Sequence, residues 1–386
     1  MPEPPIVVAD RHDIGDKAAT RRACSSRERP DRHAPLIKKR IQVHYFIDKM
    51  NQVSIQAADS PILVIPYMWI GDFVRCHSVV KLLRARWPSR PVDLLTTTLC
   101  KPLCDYMPGV RTGIESNLPR RRLPLGQYRA LADRLRQENY GTALVMLRTW
   151  KSALAPFLAG IPERTGFVGE ARFGLINDLR FGERALPRMI DVCAALALPK
   201  GATLPADWPL PEIDVPEAEV SAWRARRRLA SDAAPIIALA PGAIGPGKKW
   251  PTENYAELAK ALVQDGATVW VLGGPMEKQL AAQIVSHAGE RVRDLTGNDL
   301  RDAIVALKAA DLTVTNDSGL MHISAAIGTP TIGIFGPTDP RLWGPLNPLA
   351  AIVEPERSFA RDRSTSEIPP QRVIETARQY LQGMRR

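Results

Sequence analysis

Short, wholly apolar runs alternate along this chain with stretches of helical period, and that alternation restricts its fold more than any other feature. The clearest instance spans residues 313–336. Residues 312–315 close an apolar run, and Asn316, Asp317, Ser318 and Gly319 make a tight polar turn. A short helical stretch follows over 320–327, and residues 331–335 are apolar again. The pattern predicts strand, turn, helix, strand. Near the start of the chain, Pro61-Ile-Leu-Val-Ile-Pro66 reads as a buried strand and 67–72 as a loop. An amphipathic helix is expected over 73–86, with Val74, Val79, Leu82 and Leu83 on one side. A strand over 92–96 and a short helix over 99–107 continue the rhythm. Such repetition makes a parallel sheet covered on both faces, the α/β class.

The rest of the chain extends the pattern into two α/β units. The first is expected over 61–205, with a helix over 127–138, a strand over 142–147 and a helix ending at Gly160. Residues 165–174, rich in glycine and arginine, read as a functional loop, and a helix is expected over 185–196. Pro199, Pro205, Pro209, Pro211 and Pro216 mark an interdomain linker, 206–216, or a loop tied across a surface. The second unit, 217–370, restarts with a helix to Leu229 and a strand over 235–240. After a glycine- and lysine-rich loop, Thr252 reads as the N-cap of a helix running to Gln264. Strands at 268–272 and 292–295 and helices at 277–287 and 300–307 follow. A final helix, within 371–386, is expected to pack back on the first unit. Residues 1–60 form a polar extension, largely disordered as far as Leu36, with a short strand over 41–46 and a lead-in over 53–57.

A length of 386 residues is enough for two full cores. The net charge of +11 suits anionic partners: phosphorylated substrates, a membrane surface or nucleic acid. Nucleic acid is disfavoured because no stripe of stacking aromatics accompanies the charge. Arg120, Arg121 and Arg122, with Arg129, Arg134 and Arg136, read as a solvated face that also suits an anionic acceptor or membrane surface. The five cysteines lack zinc spacing and read as free thiols in a reducing compartment. No apolar run reaches ~18 residues, and the polar N-terminus does not read as a signal peptide.

Loops after parallel strands gather at one sheet edge, where ligands bind. Five qualify: 67–72 and 147–152 in the first unit, and 242–249, 273–277 and 316–322 in the second. A cleft between two such units would bring them face to face. Asp72 stands where a helix begins, either as a cap or as a general base. Lys248 and Lys249, in Gly-Pro-Gly-Lys-Lys-Trp-Pro, either neutralise a phosphate or form an exposed basic turn. This is not a P-loop. Asp317, Ser318, Gly319 and His322 would hold a diphosphate at a helix N-terminus, unless His322 is a packing residue. Ser318 lacks the Gly-x-Ser-x-Gly elbow of a hydrolase. No acid and histidine spacing suggests a metal, and no Gly-x-Gly-x-x-Gly follows the first strand.

The motifs, taken in order, resemble those of the bacterial lipopolysaccharide heptosyltransferases, most closely the heptosyltransferase II type. They are Trp-Ile-Gly-Asp (69–72), Lys-Ser-Ala-Leu-Ala-Pro-Phe (151–157) and Gly-Ile-Pro-Glu-Arg-Thr-Gly-Phe (160–167). In the second unit they are Pro-Gly-Ala (241–243), Gly-Pro-Gly-Lys-Lys-Trp-Pro (245–251), Thr-Asn-Asp-Ser-Gly-Leu-Met-His (315–322) and Phe-Gly-Pro-Thr-Asp-Pro (335–340). The resemblance covers about 61–381 and implies a GT-B fold, two Rossmann-like domains facing a central cleft. It implies inverting transfer of L-glycero-D-manno-heptose from ADP-heptose to a heptose-Kdo2-lipid A type inner core, with no cofactor and no metal in the chemical step.

By motif match, Asp72 would be the base, Lys248 would contact the donor phosphates and Glu277 the donor ribose. Asp317 would hold the heptose hydroxyls, and Ser318, Gly319 and His322 the diphosphate. Lys151 and Ser152 would line the acceptor side. The chain departs from the family at Arg75 and His77, and at Arg148-Thr149-Trp150, all on the acceptor side. A cytoplasmic enzyme, peripheral at the inner membrane, is therefore expected. The alternatives are a GT-B enzyme using another nucleotide sugar or glycan acceptor, and a non-catalytic sugar-nucleotide-binding protein.

Overall fold

The computed structural model describes residues 59–119, 121–229 and 234–384. The expectations for residues 1–58 and for Arg120 lie outside them. The N-terminal half contains β1 (Ile62–Ile65), α1 (Ile70–Arg75), α2 (His77–Arg86), β2 (Val92–Thr96), α3 (Lys101–Cys104) and β3 (Val110–Glu115). It continues with α4 (Leu125–Gln137), β4 (Thr142–Val145), α5 (Trp150–Leu158), β5 (Glu163–Phe167), β6 (Asp178–Arg180) and α6 (Met189–Ala195). The C-terminal half contains α7 (Glu217–Arg227), β7 (Ile236–Ala240), α8 (Thr252–Gln264), β8 (Thr268–Val271), α9 (Lys278–Ala288), β9 (Val292–Asp294) and α10 (Leu300–Ala309). It ends with β10 (Leu312–Asn316), α11 (Gly319–Ile327), β11 (Thr331–Ile334), α12 (Pro340–Trp343), β12 (Ala350–Val353) and α13 (Pro370–Met384).

Each half is one six-stranded sheet, and both have the same strand order. The first runs β3-β2-β1-β4-β5-β6; the second runs β9-β8-β7-β10-β11-β12. The pairings between neighbouring strands are parallel. Order reverses between β1 and β4 and again between β7 and β10. Those switch points open a crevice at the carboxyl ends of the strands. Every residue of β1 and β7 is buried, as expected for strands covered on both faces. Each fully buried Val, Ile or Leu there contributes roughly 1.5–3 kcal/mol.

The two halves are not independent. One apolar cluster runs from Val64, Phe73 and Leu94 through Ile213 and Val215 to Trp223, Trp270 and Leu307. The proline-rich stretch is therefore a strap tied across a surface. Ile213 N–H donates to the Ala326 carbonyl (2.9 Å), and Asp214 N–H to Tyr106 (2.8 Å). The Tyr106 hydroxyl in turn bonds Glu219 (2.5 Å) and accepts from Arg301 (2.7 Å).

Several local expectations are corrected. The helix expected over 73–86 is two, broken at Cys76, and it begins at Ile70, so Asp72 lies inside the first turn rather than at its cap. Pro251 precedes α8, which makes Thr252 its first residue rather than its N-cap. The helix expected over 99–107 is only α3, four residues long. Strands β3, β6 and β12 were missed: β3 and β6 carry polar, half-exposed residues without clean alternation, and β12, Ala-Ala-Ile-Val, is a four-residue apolar run too short to show a period. Residues 165–167, read as loop, complete β5. Its polar residues find partners: Glu163 accepts from the Thr142 hydroxyl (2.9 Å), and Arg164 donates to the Leu175 carbonyl (2.6 Å).

The final helix joins the second half, not the first. Val373, Ile374, Ala377 and Leu381 share a core with Ile237, Leu258 and Val314. The apolar stripe of α13 is complementary to the α8 side of that sheet. Arg378 fixes it by pairing with Asp265 (2.7 Å).

Candidate active site

The C-terminal half supplies a candidate anion site. Asn316, the last residue of β10, is fully buried. Its amide donates to the Pro241 carbonyl (2.6 Å), and its carbonyl accepts from Trp250 N–H (3.2 Å). One side chain thus ties together the turns after β7, before α8 and after β10. Asp317 follows, and its carboxylate takes the Lys248 ammonium at 2.6 Å. Ser318 is the extended residue before α11. Its side chain makes no cap bond and lies 3.3 Å from the Thr315 hydroxyl. The first N–H groups of α11, from Gly319 onward, therefore lack intrahelical partners, and Lys248 pairs with Asp317 two residues before that helix.

Lys248 is presented by a clamped loop. Gly245 and Gly247 have φ of +121° and +70°, which side chains rarely adopt. The Gly247 carbonyl accepts from Thr365 N–H (2.9 Å). Gly336 leaves no space for a Cβ, which would stand 2.5 Å from that carbonyl. Glu277 lies over a second glycine bed. It accepts from Gly274 N–H (2.9 Å), and a Cβ at Gly242 or Gly273 would meet its side chain at 3.0 or 2.7 Å.

From the N-terminal half, α1 meets α11 end to end. A Cβ at Gly319 would come within 2.7 Å of Ile70 Cβ, and one at Gly71 would overlap the His322 ring. The approach brings Asp72, Arg75, His322, Asp317 and Lys248 into one electrostatic group. Burial raises the Asp72 carboxyl above the usual carboxylate range and the Asp317 carboxylate adds to this, while Arg75 and Lys248 oppose it. Burial, reinforced by Arg75 and Lys248, holds His322 well below its ordinary value, so the ring is neutral. Arg75 Nη2 lies 3.2 Å from His322 Nε2. Guanidinium offers only donors, so Nε2 accepts and the ring proton is on Nδ1. His322 is thus buried at the contact between the halves, with Nε2 already occupied.

Arg148, Lys151 and Ser152 gather after β4, on the first sheet's side of the crevice. Arg148 pairs with Glu183 at 2.9 Å, which raises its pKa further. The Ser152 hydroxyl turns back onto the carbonyls of Leu147 (3.0 Å) and Thr149 (2.6 Å), and Lys151 lies 6.0 Å from the centre of the Trp150 ring. Arg172, which sequence reasoning passed over, is buried beneath this edge and donates to the Phe167 (3.1 Å) and Leu147 carbonyls. Arg75, Asn316 and Trp343 were also missed as site members. In the sequence Asn316 stands out only as part of the polar turn and motif, and Arg75 only as a departure from the family pattern. Among the described residues, no group of three or more His, Cys, Asp or Glu side chains is arranged to hold a metal, and no helix is long and apolar enough to cross a membrane.

Two parallel six-stranded sheets of matching strand order, joined where α1 meets α11, make the two-domain α/β architecture of the GT-B glycosyltransferases. Comparison with known proteins narrows the class. The model of glycosyltransferase family 9 (heptosyltransferase) matches residues 128–369. The chain is 36% identical over 336 residues to lipopolysaccharide heptosyltransferase 2 of Escherichia coli (strain K12), covering 81% of this chain and 96% of that one. It is 35% identical over 304 residues to lipooligosaccharide heptosyltransferase 2 of Haemophilus influenzae, covering 76% and 88%. The solved structure of E. coli ADP-heptose LPS heptosyltransferase II superposes with a TM-score of 0.77 at 35% identity, covering 84% of this chain and all of that one. This chain belongs to glycosyltransferase family 9, the heptosyltransferases.

Proposed function

We propose that the protein transfers L-glycero-D-manno-heptose from ADP-heptose to the inner core of lipopolysaccharide, a heptose-Kdo2-lipid A type acceptor, with inversion and without metal in the chemical step. The carrying observation is the Lys248–Asp317 pair at the open end of α11, facing Asp72 from the other half. Asp72 takes the proton of the acceptor hydroxyl as its oxygen attacks the anomeric carbon. The bond to the ADP oxygen breaks on the opposite face, and the electron pair leaves with the diphosphate. The Ser318 hydroxyl and the helix N–H groups from Gly319 onward, with Lys248, stabilise that growing charge. His322, held by Arg75, backs the anion site. Asp317 positions the heptose hydroxyls, and Glu277 on its glycine bed the ribose. A single base on one face suffices for inversion. The names of the relatives support the same reading.

Acceptor binding falls to the first sheet's edge, near Arg148, Lys151 and Ser152. Exposed apolar residues follow the strands at that edge: Trp69 after β1, Leu99 after β2, Leu125 at the start of α4 after β3, Phe173 after β5 and Phe181 after β6. With Arg121 and Arg122 nearby in sequence, they suit peripheral contact with an anionic lipid surface from the cytoplasmic side. The Arg148–Glu183 pair and the inward-turned Ser152 hydroxyl favour a second reading, the same donor with a different glycan acceptor.

The test is to offer ADP-heptose and UDP-sugars to purified protein with a panel of truncated lipid A cores. Products are read by mass spectrometry, the anomeric configuration by NMR, and both are repeated with chelator. A heptose added only from the ADP donor, inverted and unaffected by chelator, is expected. Transfer from a UDP-sugar alone, donor binding without any product, or retardation of nucleic acid at physiological salt would each replace this reading.

A further inference from the structure

Arg75 makes more contacts across the two halves than its role as a helix residue requires. Its side chain is only 4% exposed. Nη1 donates to Asp72 Oδ1 at 3.0 Å, three residues back on the same helix. Nη2 donates to the Trp343 carbonyl at 2.7 Å and lies 3.2 Å from His322 Nε2. The guanidinium also sits 5.3 Å from the centre of the Trp343 ring. Asp72 belongs to the first half, and His322 and Trp343 to the second. One planar cation therefore joins the candidate base to α11 and α12.

The energetics make this more than a bridge. A buried cation is costly unless it is paired with a charge. Of its three hydrogen-bonding partners, only Asp72 carries one; the imidazole is neutral and the third is a backbone carbonyl. Arg75 and Asp72 are thus stable together as an ion pair, and protonating Asp72 would leave the guanidinium with neutral acceptors only. The pairing uses Oδ1 alone. Oδ2 has no protein hydrogen bond among the described residues, so it is available to a substrate hydroxyl.

We propose that Arg75 is a positioning residue of the transfer reaction, aiming the Asp72 carboxylate at the acceptor hydroxyl when the halves meet through His322 and the Trp343 carbonyl. The inference rests on Asp72 as the base. The other charged groups facing Asp72 are Asp317, which opposes its ionisation, and Lys248, which favours it. His322, packed against Gly71, is uncharged. Arg75 is the nearest cation, so its removal shifts the balance toward the protonated acid.

The test compares full-length wild type, Arg75→Met and Arg75→Lys, using ADP-heptose and the best acceptor found above. Three quantities are read: the pH profile of kcat/KM, ADP-heptose Kd by calorimetry, and Tm. Arg75→Met is expected to move the acidic limb to higher pH by about one unit or more. Its kcat at neutral pH should fall ~100-fold, within the range a general base supplies, while donor Kd changes less than ~3-fold. Arg75→Lys keeps the charge but not the fork, so its acidic limb should stay near wild type with kcat still reduced.

An unmoved limb in Arg75→Met, or a loss of donor affinity equal to the loss of kcat, overturns the proposal. If Arg75→Met does not fold, Arg75→Lys decides: lowered kcat with an unmoved limb supports it, and wild-type kcat overturns it. Wild type inactive with every acceptor, or an active Asp72→Asn, would instead indict the functional reading. An active wild type, a silent Asp72→Asn and an unaltered Arg75→Met profile would reject this inference alone.

Discussion

Gly71 lies directly against the His322 ring, where no side chain could be placed without displacing the imidazole. The residues are 251 positions apart (322 − 71) and belong to different sheets. Their contact, with that of Gly319 on Ile70, lets two helix ends approach closely enough to put the Asp72 carboxylate within reach of the Lys248 and Asp317 charges.

Gly71→Ala is therefore expected to be destabilising by ~1–3 kcal/mol, because the buried ring must move to admit the methyl group. Urea midpoints measure this. Transfer should fall further than stability alone explains, since the shift separates Asp72 from those charges. Equal stability and activity to wild type would show that the contact is not maintained in solution.

Asp72→Asn removes the proton acceptor while preserving shape. kcat should drop by ~10²–10⁴-fold with ADP-heptose Kd little changed. The effect of the substitution on stability should depend on pH. The folded pKa of Asp72 is raised, mainly by burial. The acid is therefore favoured in the fold, and the stability it contributes is lost as pH rises through the folded value. At neutral pH the amide lacks this penalty, although it also weakens the Arg75 pair. A Tm difference, variant minus wild type, that becomes more positive from pH 4 to pH 7 is the expected result.

Lys248→Ala should weaken ADP-heptose binding ~10-fold or more, since a charge-assisted contact to phosphate is lost. It also leaves the Asp317 carboxylate, 9% exposed, without its cation, so a fall in Tm should accompany the loss and be partly recovered in Lys248→Ala/Asp317→Asn. Calorimetry with ADP-heptose and with ADP gives both affinities. Unchanged affinity would remove Lys248 from the donor site.

His322 predicts an acid sensitivity. Its pKa is depressed in the fold, first by burial and then by Arg75 and Lys248. The stability from its neutral form is thus present above the unfolded value of about 6.5 and is lost as pH falls below it toward the folded value. His322→Gln should flatten the dependence of Tm on pH in that window. An identical slope in both proteins would contradict a buried neutral imidazole.

Much of this was legible in the sequence, because local chemistry dictates it. Runs such as Ile62–Ile65 and Ile236–Ala240 read as covered strands, the turns after them fall at one edge, and a serine-glycine turn before a helix leaves backbone N–H groups open there. Asp72, Lys248 and Asp317 were placed at that edge by such reasoning, and Glu277 was singled out by the motif resemblance. The edge strands β3 and β6 were not legible, because half-exposed polar strands leave no periodic signal, nor was β12, whose four apolar residues are too few to show one. Nor was the partnership of Arg75 with His322 and Trp343, or the burial of Asn316 between three turns. Those depend on contacts between residues up to 268 positions apart, made only once both sheets have formed and their helix ends have met. Sequence pattern determines which side chains a segment can bury; which distant charge shares that burial is decided by packing alone.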